Sequence, residues 1–294
     1  MERNLRHRRE YLIAVWIMCM IGYRICHAGN HPVRVISMAP NLTEIVCALD
    51  QIDRLAGVST FDTWPAAVRK LPKIGGYFNP DMETLIRLQP DLVLLVEGRN
   101  RIEDKLNDLG IRHEMFRSES LADFYSAVTR IGDILGVPES AAALTVSVET
   151  SLRASKLPEG YHPKVMICIG MTPGTLQSLF VAGNGSFHSD ILKAIGCRPV
   201  FDEMNRAYFP VSKEAIIAAA PDIILDLAPG IDPESIAARQ RIDTWKLLSG
   251  IPAVDEGKVI LLTHDYLSIP GPRIGTVAYI FASEIIRRIP AHVH

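Results

Sequence analysis

One stretch of the chain occurs twice. Glu83-Thr84-Leu85-Ile86-Arg87-Leu88-Gln89-Pro90-Asp91-Leu92-Val93-Leu94 is answered, 131 residues later, by Glu214-Ala215-Ile216-Ile217-Ala218-Ala219-Ala220-Pro221-Asp222-Ile223-Ile224-Leu225. Each copy reads as a helix ended by Pro-Asp and followed by a buried strand. A weaker echo links residues 41–50 with 187–196. Two copies of one unit predict two similar lobes; a stacked array would need three or more.

The rest of the chain follows the same grammar. Apolar runs at 33–38, 55–59, 91–96, 112–116, 164–170, 222–227 and 258–263 predict strands, and stretches at 41–49, 81–88, 99–109 and 186–195 predict helices. Strands that alternate with helices predict an α/β fold with parallel sheets. Asn41 and Thr43 are expected to cap the helix after Pro40, with Glu44 in its first turn. Between the halves, Pro138 opens a pattern in which Ala141, Leu144, Val148 and Leu152 recur at helical spacing. A single helix over 138–157 is therefore expected to join an N-terminal lobe (33–137) to a C-terminal lobe (163–290) as a stiff strut.

Residues 1–28 read as an address. Arg3, Arg6, Arg8 and Arg9 precede an uncharged run from Tyr11 to Tyr23, and Cys26 and Ala28 place small residues at −3 and −1. This is the pattern of a secretory signal peptide cleaved after Ala28, and the run is too short to span a membrane as an anchor. Tyr23, Arg24 and Ile25 before Cys26 do not suit lipidation. Removing the leader takes five basic and two acidic residues, which moves the net charge from −2 to −5. That balance disfavours nucleic acid as a partner. Cys47, Cys168 and Cys197 remain, an odd number without a CxxC spacing, and are expected to be buried thiols.

Catalytic signatures are missing. There is no GxGxxG, GxxxxGK[ST], GxSxG or HExxH, so the usual nucleotide cradles, serine nucleophile and hydrolytic zinc site have no support. Gly183-Asn184-Gly185-Ser186-Phe187 reads as a plain turn before a helix. What remains is a set of aromatic and polar residues where strands end: Phe61 and Trp64, Tyr77 and Phe78, Tyr208 and Phe209, and His264, Asp265 and Tyr266. Ligands of open α/β sheets bind beyond the carboxyl ends of strands, and aromatics from both halves would grip a large flat molecule there. No enzyme activity is expected.

Several segments resemble one family. Arg34-Val35-Ile36-Ser37-Met38-Ala39-Pro40-Asn41-Leu42-Thr43-Glu44, Ile74-Gly75-Gly76-Tyr77-Phe78-Asn79-Pro80, the two Pro-Asp strand entries and Gly271-Pro272-Arg273 are similar to the periplasmic vitamin B12-binding protein family. These are substrate-binding proteins of ABC importers for cobalamin, haem and ferric siderophores. The resemblance implies a class III binding protein, with two Rossmann-like lobes, one joining helix and little closure on binding. It implies a monomer that takes a corrinoid as ligand, holds no cofactor and hands its cargo to a permease dimer served by ATPase subunits. Glu83 and Glu214 match the family's permease-docking glutamates, Phe61 and Tyr77 its ligand aromatics, and Asp265-Tyr266 its Asp-Trp segment. Were the ligand haem, Tyr77 or His264 would be the iron ligand. Were it an anionic chelate, Arg206 and Arg273 are the candidates.

Overall fold

The computed structural model describes residues 31–76, 79–98, 102–172, 174–177 and 179–289. The leader and the pair Tyr77-Phe78 lie outside these residues.

The first half builds four strands, β1 (Val35–Ser37), β2 (Leu55–Val58), β3 (Leu92–Val96) and β4 (His113–Phe116), in the order β2-β1-β3-β4, all parallel. Its helices are α1 (Pro40–Ala48), α2 (Met82–Arg87), α3 (Ile102–Asp108) and α4 (Leu121–Leu135). Then comes α5 (Pro138–Ala154). The second half holds β5 (Lys164–Gly170), β6 (Leu179–Ala182), α6 (Phe187–Ile195), β7 (Arg198–Pro199), β8 (Tyr208–Val211), α7 (Lys213–Ala219), β9 (Ile223–Leu227), α8 (Ile236–Trp245), α9 (Pro252–Asp255), β10 (Val259–Leu262) and α10 (Ile274–Ile286). Its sheet runs β10-β9-β5-β6-β8, with β7 beside the start of β5.

The second sheet is mixed, which corrects the expectation of parallel strands throughout. β10, β9 and β5 are parallel, but β6 pairs antiparallel with β5, and β8 antiparallel with β6. Gly174, at φ 81°, helps turn the chain back after β5, so β6 returns as a hairpin partner with no crossover helix. Three short strands, β6 to β8, escape the sequence reading because they span only two to four residues, and Pro199 and Pro210 stand inside β7 and β8.

The repeat extends to one equivalent hydrogen bond, from Val33 in the first copy and Lys164 in the second. Asp91 accepts from the backbone N–H groups of Val33 and Arg34 (2.9 and 3.0 Å), and Asp222 accepts from that of Lys164 (2.7 Å). Each Pro-Asp thus fastens the start of its own interior strand, β1 or β5. One position before each proline, Gln89 (φ 47°) and Ala220 (φ 43°) both take the left-handed conformation that ends the helix.

The joining helix ends at Ala154, short of 157, and it is not a bare strut. It is clamped between α4 and α10 at points of close approach. A methyl group on Gly132 would stand 2.5 Å from the Cβ of Ala141, and one on Gly275 the same distance from the Cβ of Ser151. One continuous apolar core runs through both halves, from Val35, Leu42 and Ile131 through Val148 to Ile167, Leu225 and Phe281. The far face of each sheet has its own smaller core, around Ile36 and Leu95 in one half and Met166 and Trp245 in the other. Burying the joining helix on both flanks makes a large hinge motion expensive, since its packed faces would have to separate.

Side-chain capping of α1 does not occur: Ala39 is the N-cap, with Pro40 supplying the preset first turn. Asn41 and Thr43 are buried and bond elsewhere, to Ser118 and Ser37.

Candidate functional site

The carboxyl ends of β1, β4 and β5 converge on a cavity of ≈ 410 Å³ between the halves. Pro40, Asn41 and Ser118 line it from the first half, and Ile169, Phe187, His188, Tyr208 and the segment Ser268-Ile269-Pro270 from the second. Its centrepiece is His188. The Nε2 of His188 lies 2.8 Å from the carbonyl oxygen of Leu267, and its Nδ1 lies 3.0 Å from the hydroxyl of Tyr208. A carbonyl only accepts, so Nε2 carries the proton, Nδ1 accepts, and Tyr208 donates. Burial pushes the His188 pKa down to about 4, so the ring is neutral at physiological pH. It lies tilted against Phe187 with centroids 3.9 Å apart, stacks on Phe281 at 6.4 Å and meets Tyr208 edge-on. Tyr208, itself raised in pKa by burial, is thereby held as a neutral phenol.

A second, more polar cavity of ≈ 550 Å³ adjoins at Tyr208. Arg117, Glu119 and Ser120 line it from the first half, and Asn184, Gly185, Asn205, Arg206 and Ala207 from the second. Arg117 lies 3.4 Å from Asp123, whereas the Arg206 side chain makes no ion pair among the described residues. The halves touch directly here: the N–H of Phe187 donates to the carbonyl of Glu119, and that of Leu121 to Asp190 (3.0 Å). Gly183 and Ser186 form the expected turn, in which Ser186 caps α6.

A third group gathers around Arg273. Its guanidinium forks onto the Glu44 carboxylate and lies 4.9 Å from the Trp64 ring centroid and 4.5 Å from that of Tyr266. Gly271 leaves room for this, since a methyl there would stand 3.1 Å from Glu44 Oε2. Arg273 is thus committed to a buried pair and is not free to meet an anionic chelate. Glu44, expected as a first-turn acid, is buried by the same pair. Asp62 is buried beside them, and burial raises its pKa although Ser59 donates to it at 2.5 Å. His264 is exposed, its ring 5.3 Å from that of Tyr266, and Asp265 lies 3.9 Å from Arg273. Phe61 projects into solvent beside Gly76 at 67% exposure.

A chain with this fold, two α/β halves facing each other across strand ends, has relatives. The sequence profile of the family described as "Periplasmic binding protein" matches residues 35–266. The chain belongs to this family. Members are the non-enzymatic substrate-binding components of ABC importers, and this chain is one. It is 27% identical to a protein of Vibrio vulnificus named vitamin B12-binding protein, over 82% of this chain and 85% of that one. It is also 27% identical to the high-affinity heme uptake system protein IsdE of Staphylococcus aureus, over 71% and 74% of the two chains. Among solved structures it is similar to a possible iron-binding periplasmic protein of Staphylococcus epidermidis. The TM-score there is 0.74 at 25% identity, covering 87% of this chain and 99% of that one.

In this binding protein, the sequence-chosen residues separate into groups. Tyr208 lines both cavities, Trp64 and Tyr266 enclose Arg273, and Tyr77 and Phe78 lie outside the described residues. Phe209 is a correction: it is buried in the second half's core, edge-on to Phe201, because neighbours on a strand point to opposite faces. Phe187, His188, Asn41 and Ser118 were missed. The available signal was position, since Phe187-His188 directly follows the N-cap of a helix entered from a strand.

Glu83 and Glu214 both stand exposed in the first turn of a capped helix. Asp81 accepts from Thr84 N–H at 3.0 Å and Ser212 from Ala215 N–H at 3.2 Å. Hydrogen bonds at the helix start hold the Glu214 carboxyl below its usual range. Cys47 is half-buried and Cys168 and Cys197 are buried, all as free thiols. No helix among the described residues is long and apolar enough to cross a membrane.

Proposed function

We propose that this protein captures a corrinoid such as cobalamin outside the inner membrane and delivers it to the permease dimer of an ABC importer with its ATPase subunits. The observation that carries the reading is the pair of joined cavities. An apolar floor suits a macrocycle, and the adjoining chamber offers the neutral groups of Ser120, Asn184 and Asn205 to amide side chains. The likeness to a vitamin B12-binding protein supports it. Titration calorimetry with cyanocobalamin and cobinamide is the test, with tight one-to-one binding expected. No binding of either, with tight binding of haemin, overturns it.

Arg206 favours a second reading, haem or a ferric siderophore, because an uncommitted guanidinium in the polar chamber suits a carboxylate or anionic chelate. The likeness to a haem uptake protein supports it. Tyr77 or His264 would then ligate the iron. The absorption spectrum of protein purified from its native host separates these cargoes.

In this reading the leader is cleaved near Ala28, no lipid anchor is added, and a monomer without a cofactor works in the periplasm. Glu83 and Glu214 dock onto cationic groups of the permease, one from each lobe. Reversing both to lysine is expected to abolish transport and leave ligand affinity intact; lost ligand affinity would move them into the cleft.

A further inference from the structure

The repeated helices carry a second matched feature. Between Met82–Gln89 and Lys213–Ala220, two positions keep the same residue: Glu83 with Glu214, and Ile86 with Ile217. Both pairs face solvent. Ile86 is 46% exposed and Ile217 51%, whereas the neighbouring core position, Leu85 in one copy and Ile216 in the other, is fully buried yet differs in identity. Packing therefore accounts for the position that varies and leaves the identical pairs unexplained. Isoleucine is an unfavourable choice for an exposed helix site: its branched side chain loses rotamer freedom, and its apolar surface stays in water.

Residues three apart on a helix share a face. We infer that each glutamate and the isoleucine one turn on form one composite contact, and that the two contacts seat on two-fold-related sites of the permease dimer, each pairing a cationic side chain with an apolar one. This rests on the docking reading of Glu83 and Glu214 and adds its aliphatic half. The acids steer approach and weaken with salt; the aliphatic burial does not. A second copy of this chain is a poor occupant. A two-fold pairing through this patch would set glutamate against glutamate, and neither basic residue beside it is matched in the other copy: Arg87 turns back to Thr84 and is answered by Ala218, and Lys213 is answered by Met82.

The test is binding of the protein to its host's permease–ATPase complex in nanodiscs at low and high salt. Ile86→Ser with Ile217→Ser is expected to weaken docking at least about tenfold at both salts, as loss of two buried aliphatic contacts requires. Its melting temperature and its affinity for cyanocobalamin or haemin should stay unchanged. If the serine pair melts earlier, Ile86→Thr with Ile217→Thr keeps the branched shape and serves instead. Docking equal to the parent overturns the inference. In that case loss of docking by Glu83→Lys with Glu214→Lys leaves the glutamate reading standing, while parent-like docking by the lysine pair removes both.

Discussion

Arg273 and Glu44 stand 229 positions apart and meet as a buried, two-pronged ion pair, Nε donating to Oε2 at 3.0 Å and Nη2 to Oε1 at 2.5 Å. The pair ties the residue preceding α10 to α1, with the Trp64 and Tyr266 rings covering the guanidinium. It links the last described helix to the first beside the ≈ 410 Å³ cavity, whose lining includes Pro40, Asn41, Ile269 and Pro270.

Removing one member leaves a buried charge unpaired. Arg273→Leu is expected to lower unfolding free energy by about 3–5 kcal/mol, read from urea denaturation. Arg273→Lys should recover only part, since an ammonium cannot fork or stack on two rings. A leucine variant as stable as the parent would show that the pair adds nothing.

His188 makes stability depend on pH. Its folded pKa, about 4, lies below the ordinary histidine value. The unfolded chain therefore binds a proton first as pH falls, and stability present above about pH 6.5 declines toward pH 4. The loss from this group reaches about 3 kcal/mol. Denaturation curves of His188→Asn across this range should be flatter than the parent's by that amount; an equal slope would place the titration elsewhere.

Tyr208 and Phe209 are neighbours in sequence with different fates. Phe209→Ala should cost about 3–5 kcal/mol of stability, as for a buried ring, and leave cyanocobalamin or haemin affinity unchanged in the folded fraction. Tyr208→Ala should weaken that affinity. The opposite pattern in calorimetry would exchange their assignments.

Asp91 and Asp222 hold equivalent strand starts with different numbers of bonds. Replacement of either by alanine should cost about 1–3 kcal/mol. Asparagine offers one accepting oxygen, so it should restore most of the loss at Asp222 and about half at Asp91, where both carboxylate oxygens accept. Equal rescue at both sites in thermal melts would contradict this.

Much of the architecture is legible from local pattern. The 131-residue repeat, the Pro-Asp stops and the helical spacing after Pro138 determine two α/β halves and the helix between them, because proline geometry and hydrophobic period act over a few residues. The absence of familiar catalytic signatures is likewise read from short segments, as is the expectation of export. Tertiary structure alone decided what meets across distance. It turned Glu44 from a helix-start acid into the partner of Arg273 and brought His188 under Tyr208. It placed Phe209 in the core and Tyr208 in the cleft, and returned β6 antiparallel. Each depends on which face of a strand or helix is covered by residues far away in the chain, and no local propensity carries that information.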